Sequence, residues 1–423
     1  MRVLFATVPI AGHVQPFVGV AKALVARGHE LRWYTGQKYR DTVERAGAQH
    51  EPYRRARDFD DLHMERAFPE RARLEGLEQL QHDLHHVFVD QTREQLLDLE
   101  QLRGSFAPHV VLADPFMAGA LILRERHGTP LVLINVVANP LKSRDTAPFG
   151  LGILPSGRWY GPLRNRALSL LVERVLLRRV QQHWARVRSS LGLSTRAFFT
   201  DAPLIADLFL QPTVPGFEYP RSDLPSHVQL VGALPTEPPA TRGDASFLAR
   251  LSPDRPLIHV TQGTMSNAQP WLIEPALRGL ARERVHVVVA TGGRSAHELG
   301  LSRIPANAHV LSFLSYDELL PRTAVMVTNG GYGGVHLALS HGVPLVVWGT
   351  SEDKPETAAR VAWSGVGIRL SGARPSARAV RHAVREVLDQ PRYRMRASEL
   401  AHELSLLDAV ATVVLLVEER FGS

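Results

Sequence analysis

Cysteine is missing from all 423 residues, so the fold uses no disulfide, no thiolate-ligated zinc and no cysteine nucleophile, and a reducing cytoplasm is the expected setting. Lysine is scarce: Lys22, Lys38, Lys142 and Lys354 are the whole set, and the formal charge of +7 rests on arginines scattered along the chain. Nucleic-acid binding would call for a basic stretch with aromatics interleaved. None is present, and no nucleic-acid partner is expected. Long apolar runs are missing too. Residues 3–8 are too short for the core of a leader peptide. The run 409–417 has about half the length of a spanning helix, so it is expected to be one face of a packed terminal helix, with no membrane insertion. The 29 prolines and 32 glycines punctuate turns without repeats or low complexity.

What is present is an alternation of short β-branched runs with helical patterns, the signature of parallel strands joined by crossover helices. Residues 3–8 read as a strand covered on both faces. After a loop over 9–15, Pro16 fits the first turn of a helix in which Val14, Phe17, Val18, Ala21, Leu24 and Val25 recur at helical spacing until Gly28. A strand over 109–113, a helix over 116–127 and a strand over 131–136 continue the unit. The pattern loosens over 139–191, which includes an Arg-rich helix at 168–189, and 211–245 is dense in Pro, Gly, Ser and Thr. Strands at 257–261, 285–290, 309–313, 324–328 and 345–348 open a second series. The predicted class is α/β, with two parallel-sheet domains facing a cleft: 1–215, a linker over 216–245, and 246–404, with a helix at about 405–420 packing back on the first domain. Open parallel sheets bind ligands at the carboxyl ends of their strands.

Two groups of residues fall at such ends. Asn329-Gly330-Gly331-Tyr332-Gly333-Gly334 joins a strand to a helix, where glycines let the backbone approach an anion and aim free amides at it. A dinucleotide site is the rival reading. It would occupy the first strand of its domain and have an acidic residue closing the next strand, which here ends Val347-Trp348-Gly349. Gln262-Gly263-Thr264-Met265-Ser266 can add hydroxyls to the same anion. In the first half, His13 lies at the tip of the first strand just before a helix, whose positive end favours a neutral ring. Asp114 ends another strand, and a carboxylate there can orient His13 and stabilise its cation, as in a general-base dyad.

The Gly-His-x-x-Pro loop, Asp114, Gln262-Gly263-Thr264, the stretch Phe313-Leu314-Ser315-Tyr316-Asp317, and the glycine loop running to Gly342-Val343-Pro344 occur in an order that resembles the inverting nucleotide-sugar glycosyltransferases of natural-product biosynthesis. The resemblance covers essentially the whole chain and implies a GT-B fold: acceptor bound by the first Rossmann-like domain, UDP- or dTDP-sugar by the second. It implies His13 as base supported by Asp114. Thr264, Ser266, Asn329, Gly330, Gly331, Gly333 and Gly334 would meet the diphosphate, with no metal. It implies Phe313 and Leu314 against the base, and Asp353 with Lys354 at the sugar. No other cofactor is expected, and the chain is expected to be a monomer or homodimer.

The sequence also departs from that pattern. Asn329 stands where relatives often have a phosphate-binding histidine. Leu337 replaces a ribose-binding acid, which leaves His336 as a ribose candidate. Lys354 replaces a glutamine and could bind a sugar hydroxyl or offset phosphate charge. Asp58-Phe59-Asp60 has metal-binding spacing but lies in a polar stretch and reads as a solvated loop. His82, His85 and His86 have helical spacing, which allows metal ligation, yet a helix face near the acceptor or plain surface is the preferred reading. Acceptor candidates are Phe59, Phe68, Phe88, Phe116, Phe149 and Trp159, suited to a wide apolar pocket for a polycyclic or macrocyclic aglycone. A non-catalytic nucleotide-sugar-binding protein and a sugar-nucleotide epimerase are the alternatives.

Overall fold

The computed structural model describes residues 1–423 apart from 75, 197, 236–245, 264–268, 302, 313, 351 and 423. Seven strands, β1 (Arg2–Ala6), β2 (Glu30–Thr35), β3 (Gln49–Pro52), β4 (Val110–Ala113), β5 (Leu131–Ile134), β6 (Leu208–Gln211) and β7 (Val228–Leu230), pair in the order β3-β2-β1-β4-β5-β6-β7. Six more, β8 (Leu257–Thr261), β9 (His286–Ala290), β10 (Ala308–Leu311), β11 (Thr323–Thr328), β12 (Leu345–Val347) and β13 (Gly367–Arg369), pair as β10-β9-β8-β11-β12-β13. Every pairing is parallel. The central strands are largely apolar because both faces are covered, with buried His259 in β8 the main exception.

Each sheet changes winding direction once, between β1 and β4 in the first and between β8 and β11 in the second. Chains leaving neighbouring strands diverge to opposite faces at such a point and leave a crevice. Ala6 pairs with Ala113 and Thr261 with Thr328, so each pair of strands ends level. The first turn of the helix Ala11–Ala26, bearing His13, and the loop bearing Asp114 therefore flank one crevice, and the loops beginning at Gln262 and Asn329 flank the other.

One face of the first sheet packs Phe5 against Val14 and Phe17 of the helix Ala11–Ala26 and against Val413 and Val417 of the helix Ala409–Phe421. The other packs Leu4 and Ala6 against Leu96 and Leu99 of Thr92–Phe106 and Leu121 and Ile122 of Ala118–His127. The C-terminal helix thus lies on the first domain. The helix Pro391–Ser405 buries Ala397, Leu400 and Leu404 in the second. Together, 391–421 are long and apolar enough to cross a membrane by composition, but the two helices are separate and each buries one face.

Two expectations need correction. The helix begins at Ala11, so 9–15 is not a loop and Pro16 lies inside the helix. The early start has a distant cause: Asp61 Oδ2 accepts the Ala11 N–H at 2.8 Å, supplying an N-terminal partner that no adjacent residue provides. Nor is 216–245 wholly a linker. β7 lies within it and extends the first sheet beyond β6, because Phe209 and Gln211 present ladder groups that Val228 and Leu230 complete.

Candidate active site

His13 Nδ1 lies 3.0 Å from Asp114 Oδ1, with both side chains buried. Asp114 is itself fixed by the Phe116 N–H, which donates to Oδ1 at 2.9 Å, and the Val8 N–H, which donates to Oδ2 at 2.8 Å. A carboxylate oxygen can only accept, so Nδ1 carries the proton and Nε2 is left as the basic nitrogen. The ring stacks on Phe88 and meets Phe116 edge-on. His13 borders two cavities, of about 220 Å³ and about 360 Å³.

The larger cavity lies across the strand ends of the second sheet, bordered by Gly263, Leu314, Asn329, Gly331, Gly333, Gly334 and Lys354. Gly331 caps the helix Tyr332–Ser340 and, having no side chain, makes no cap hydrogen bond, so the first-turn amides can serve as an anion cradle. Gly330 adopts φ 87°, and a Cβ there would come within 2.9 Å of Val347 Cγ1. The Asn329 amide donates to the Gln262 carbonyl, tying the two glycine-bearing strand ends together. Thr264, Ser266 and Phe313 lie outside the described residues. His336 borders the larger cavity, but both ring nitrogens are engaged: its Nδ1–H donates to the Tyr332 carbonyl at 3.0 Å and its Nε2 accepts from Thr213 Oγ1 at 2.9 Å. Burial pushes its pKa down to about 4, so it is a neutral packing residue.

Where the cavities meet, the loop after β12 presents Glu352, Asp353 and Lys354. Asp353 and Glu352 border both cavities. Burial lifts the Asp353 carboxyl to about 6, against the pull of Lys354 and with the neighbouring Glu352 carboxylate adding to the rise. Burial also opposes ionisation of Glu352, but Lys354 and Arg71 outweigh it and hold its pKa below the ordinary value. The Lys354 ammonium is paired with Glu352, so its charge is not simply available to offset phosphate. Arg71, from the first domain, reaches Glu352 at 3.5 Å and binds Asp83 at 2.9 Å. Glu352 has φ 58°, an uncommon conformation for a residue with a side chain and one that clusters at functional sites. Sequence reasoning passed over Glu352, Arg71 and Asp83. The run of three charges so soon after an apolar strand was the one local signal for Glu352.

The smaller cavity is the more apolar. Phe88, Phe116 and Phe149 line it with Met64, Leu84, Val87, Leu151 and Leu176. Phe59 and Phe68 instead pack edge-on in the core of the first domain, and Trp159 stands 89% exposed beside Tyr160; neither Phe59, Phe68 nor Trp159 borders the cavity. Asp58 is exposed and receives the Gln37 and Phe59 amides, while Asp60 pairs with Lys38, so these two carboxylates are taken up in loop structure. His82 sits beside Asp83, whereas His85 and His86 point toward Asp90 and His183. Burial, then the neighbouring His183 and His86 rings, push His85 down to about 4.

Residues 277–416 match the family model of the erythromycin biosynthesis protein CIII-like C-terminal domain. The chain is 45% identical to 4'-demethylrebeccamycin synthase of Lentzea aerocolonigenes over 99% of each protein. It is 33% identical to UDP-glycosyltransferase 2 of Phaeomoniella chlamydospora over 99% of this chain and 95% of that one. Among solved structures, the glycotransferase of kitacinnamycin superposes with a TM-score of 0.75 at 21% identity, covering 99% of this chain and 98% of that one. Spinosyn forosaminyltransferase superposes with a TM-score of 0.70 at 20% identity over the full length of both. At these identities the structural likeness is one of fold, and the fold is the pair of facing Rossmann-like domains described above.

Proposed function

The chain belongs to the nucleotide-sugar-dependent glycosyltransferases of natural-product biosynthesis, and from that membership we propose that it transfers a sugar from a UDP- or dTDP-sugar to a hydroxyl or ring nitrogen of an apolar aglycone, with inversion and His13 as general base. The observation that carries the proposal is the position of His13: its ring is oriented by Asp114 and borders both an apolar cavity and an anion cradle.

In this reading Nε2 takes the proton of the acceptor as its oxygen or nitrogen bonds to the anomeric carbon. The bond from that carbon to the phosphate oxygen breaks, and its electron pair leaves on the diphosphate. Asp114 stabilises the imidazolium. The first-turn amides at Gly333 and Gly334, with the flexible turn at Gly330 and Gly331, stabilise the developing diphosphate charge, which is the work a metal does in other transferases. Asn329 holds the cradle's shape, and Thr264 and Ser266 add hydroxyls to it. Phe313 and Leu314 support the base. Asp353 and Lys354 face the sugar, with Lys354 held in its pair with Glu352. The acceptor lies against Phe88, Phe116 and Phe149. We assign the reaction to the cytoplasm, where nucleotide sugars are made.

The test is His13→Ala, assayed with a panel of UDP- and dTDP-sugars. Transfer is expected to fall by about 10²–10⁴-fold, the usual worth of a general base, while UDP or dTDP affinity measured by titration stays within twofold. Near-normal turnover in the variant would overturn the assignment.

A further inference from the structure

We propose that His85, Asp90 and His183 form a transition-metal site, best suited to zinc, that braces the wall of the acceptor cavity. One ligand atom from each of the three lies within 4.8 Å of the other two. His85 belongs to the π-helical segment Asp83–Val89, Asp90 follows it directly, and His183 comes from the helix Arg178–Ser190 across the groove.

The surroundings are those of a ligand set. Asp90 Oδ1 lies 2.5 Å from His183 Nε2, and the second oxygen lies 2.8 Å from His86 Nδ1. His86 Nε2 in turn meets His85 Nδ1 at 3.0 Å. His86 therefore holds both a carboxylate and an imidazole of the set, as outer-shell partners of metal ligands do. The rings of His85 and His183 approach to 3.9 Å between centroids, and His183 Nδ1 is buried with no hydrogen-bond partner. Two imidazoles and one carboxylate suit zinc or its later first-row neighbours and leave a fourth position for water. Tetrahedral zinc places ligand atoms about 3.3 Å apart, a closure that side-chain rotation supplies.

Position gives the site its role. One π turn lies in the segment that bears His85, closed by Asp90 N–H to the His85 carbonyl at 2.9 Å, and a second lies in Val172–Leu176, just ahead of the helix that bears His183, closed by Leu177 N–H to the Val172 carbonyl at 2.7 Å. π turns recur at functional sites. Leu84, Val87 and Phe88 of the first segment, and Val172 and Leu176, which lead into the helix of His183, line the smaller cavity. A cation there ties the segment Asp83–Val89, which lines that cavity, to the helix Arg178–Ser190, whose lead-in lines it too. It takes no part in the transfer step; the metal site stands on its own geometry, and only its role at the acceptor wall rests on the proposed function.

Tag-free, full-length protein is titrated with Co²⁺ alone, and visible ligand-field absorption and stoichiometry are read. One equivalent with tetrahedral-type bands, displaced by Zn²⁺, is expected, with a rise in melting temperature on adding Zn²⁺. His183→Ala and His85→Ala should weaken Co²⁺ binding at least tenfold and abolish the Zn²⁺ shift, whereas His402→Ala, at an exposed surface position, should do neither. Asp90→Asn is the third ligand variant: its exposed position tolerates the change, so it reports if either histidine variant fails to fold. With donor saturating, Zn²⁺ should lower the acceptor KM of the native protein and leave the donor KM unchanged. No stoichiometric binding by the native chain, or binding that persists in the ligand variants, overturns the proposal.

Discussion

Asp353 is the side chain whose state is set most plainly by its surroundings. Taken out of water, a carboxylate loses hydration that a neighbouring cation or N–H donors must replace, and Lys354 is already shared with Glu352. The result is a carboxyl lifted to about 6, protonated below that value and ionised above it. Facing a sugar, the ionised form accepts hydroxyl hydrogen bonds worth roughly 1 kcal/mol more than those of the neutral acid. Donor KM should therefore fall by about fivefold to tenfold as pH rises through 6, and Asp353→Asn should flatten that dependence while raising KM at neutral pH. A steady-state series at saturating acceptor checks both; a donor KM independent of pH between 5 and 7.5 in the native enzyme would remove Asp353 from the sugar site. The neighbouring Glu352, held ionised by Lys354 and Arg71, does not titrate in that window, so the two carboxylates are separable.

At the level of elements, the turn between β11 and the helix Tyr332–Ser340 depends on Gly330. Its φ of 87° costs any other residue about 1–3 kcal/mol, and a Cβ would press on Val347 Cγ1 at 2.9 Å. Gly330→Ala is expected to lower stability by about 2 kcal/mol and to weaken nucleotide binding by swinging the first-turn amides away; urea unfolding and UDP or dTDP titration read the two effects. An unchanged affinity would mean that the cradle does not hold the phosphates. The same turn was legible in the sequence because Gly330, Gly331, Gly333 and Gly334 crowd between an apolar run and a helical pattern, where a plain tight turn uses fewer glycines. β8, β9, β11 and β12 were legible for a related reason: strands buried on both faces are unbroken apolar runs. β3 was not, since Gln-His-Glu-Pro at a sheet edge has no such run, and β7 is a three-residue strand in a Pro-rich stretch. The helix start at Ala11 was hidden because its partner, Asp61, comes from a later loop. His13 and Asp114 could be paired from sequence because the first stands in the opening turn of the helix after β1 and the second directly after β4, at one switch point. Glu352 had only the run of charges after β12 as a signal, and its partner Arg71, with Asp83 beside it, could not be found, because the Arg71–Glu352 contact joins distant parts of the chain.

In the proposed mechanism, transfer needs the dyad of one domain and the cradle of the other to hold a common geometry, so the molecule's working parts include whatever fixes the domains together. Arg360 is the centre of that contact. Its guanidinium is buried, donates to Glu218 at 2.7–3.1 Å and to Glu356 at 3.1 Å, and lies over the Tyr219 ring. Glu356 in turn accepts the Gly150 and Gly152 amides of the loop beside the smaller, apolar cavity, and Tyr332 of the helix Tyr332–Ser340 donates to the Pro212 carbonyl at the end of β6. Burial alone would raise the Glu218 pKa; Arg360 and Arg221 reverse this and lower it. Removing the cation while keeping the volume, as in Arg360→Met, leaves buried carboxylates short of a partner and should cost about 3–5 kcal/mol. The sign with pH follows. In the native protein a depressed Glu218 pKa adds stability above the ordinary carboxylate range and loses it as pH falls through the folded-state value. In the variant the carboxyl is raised instead, so stability falls as pH rises. The deficit between the two should thus be larger at pH 7.5 than at pH 5, and kcat should drop more than either substrate's affinity because each half-site survives while their alignment does not. Urea unfolding at the two pH values, beside single-substrate binding, decides it: a deficit that does not change with pH would mean that Arg360 acts by packing alone, and the domains would then owe their alignment to apolar contact rather than to this charge.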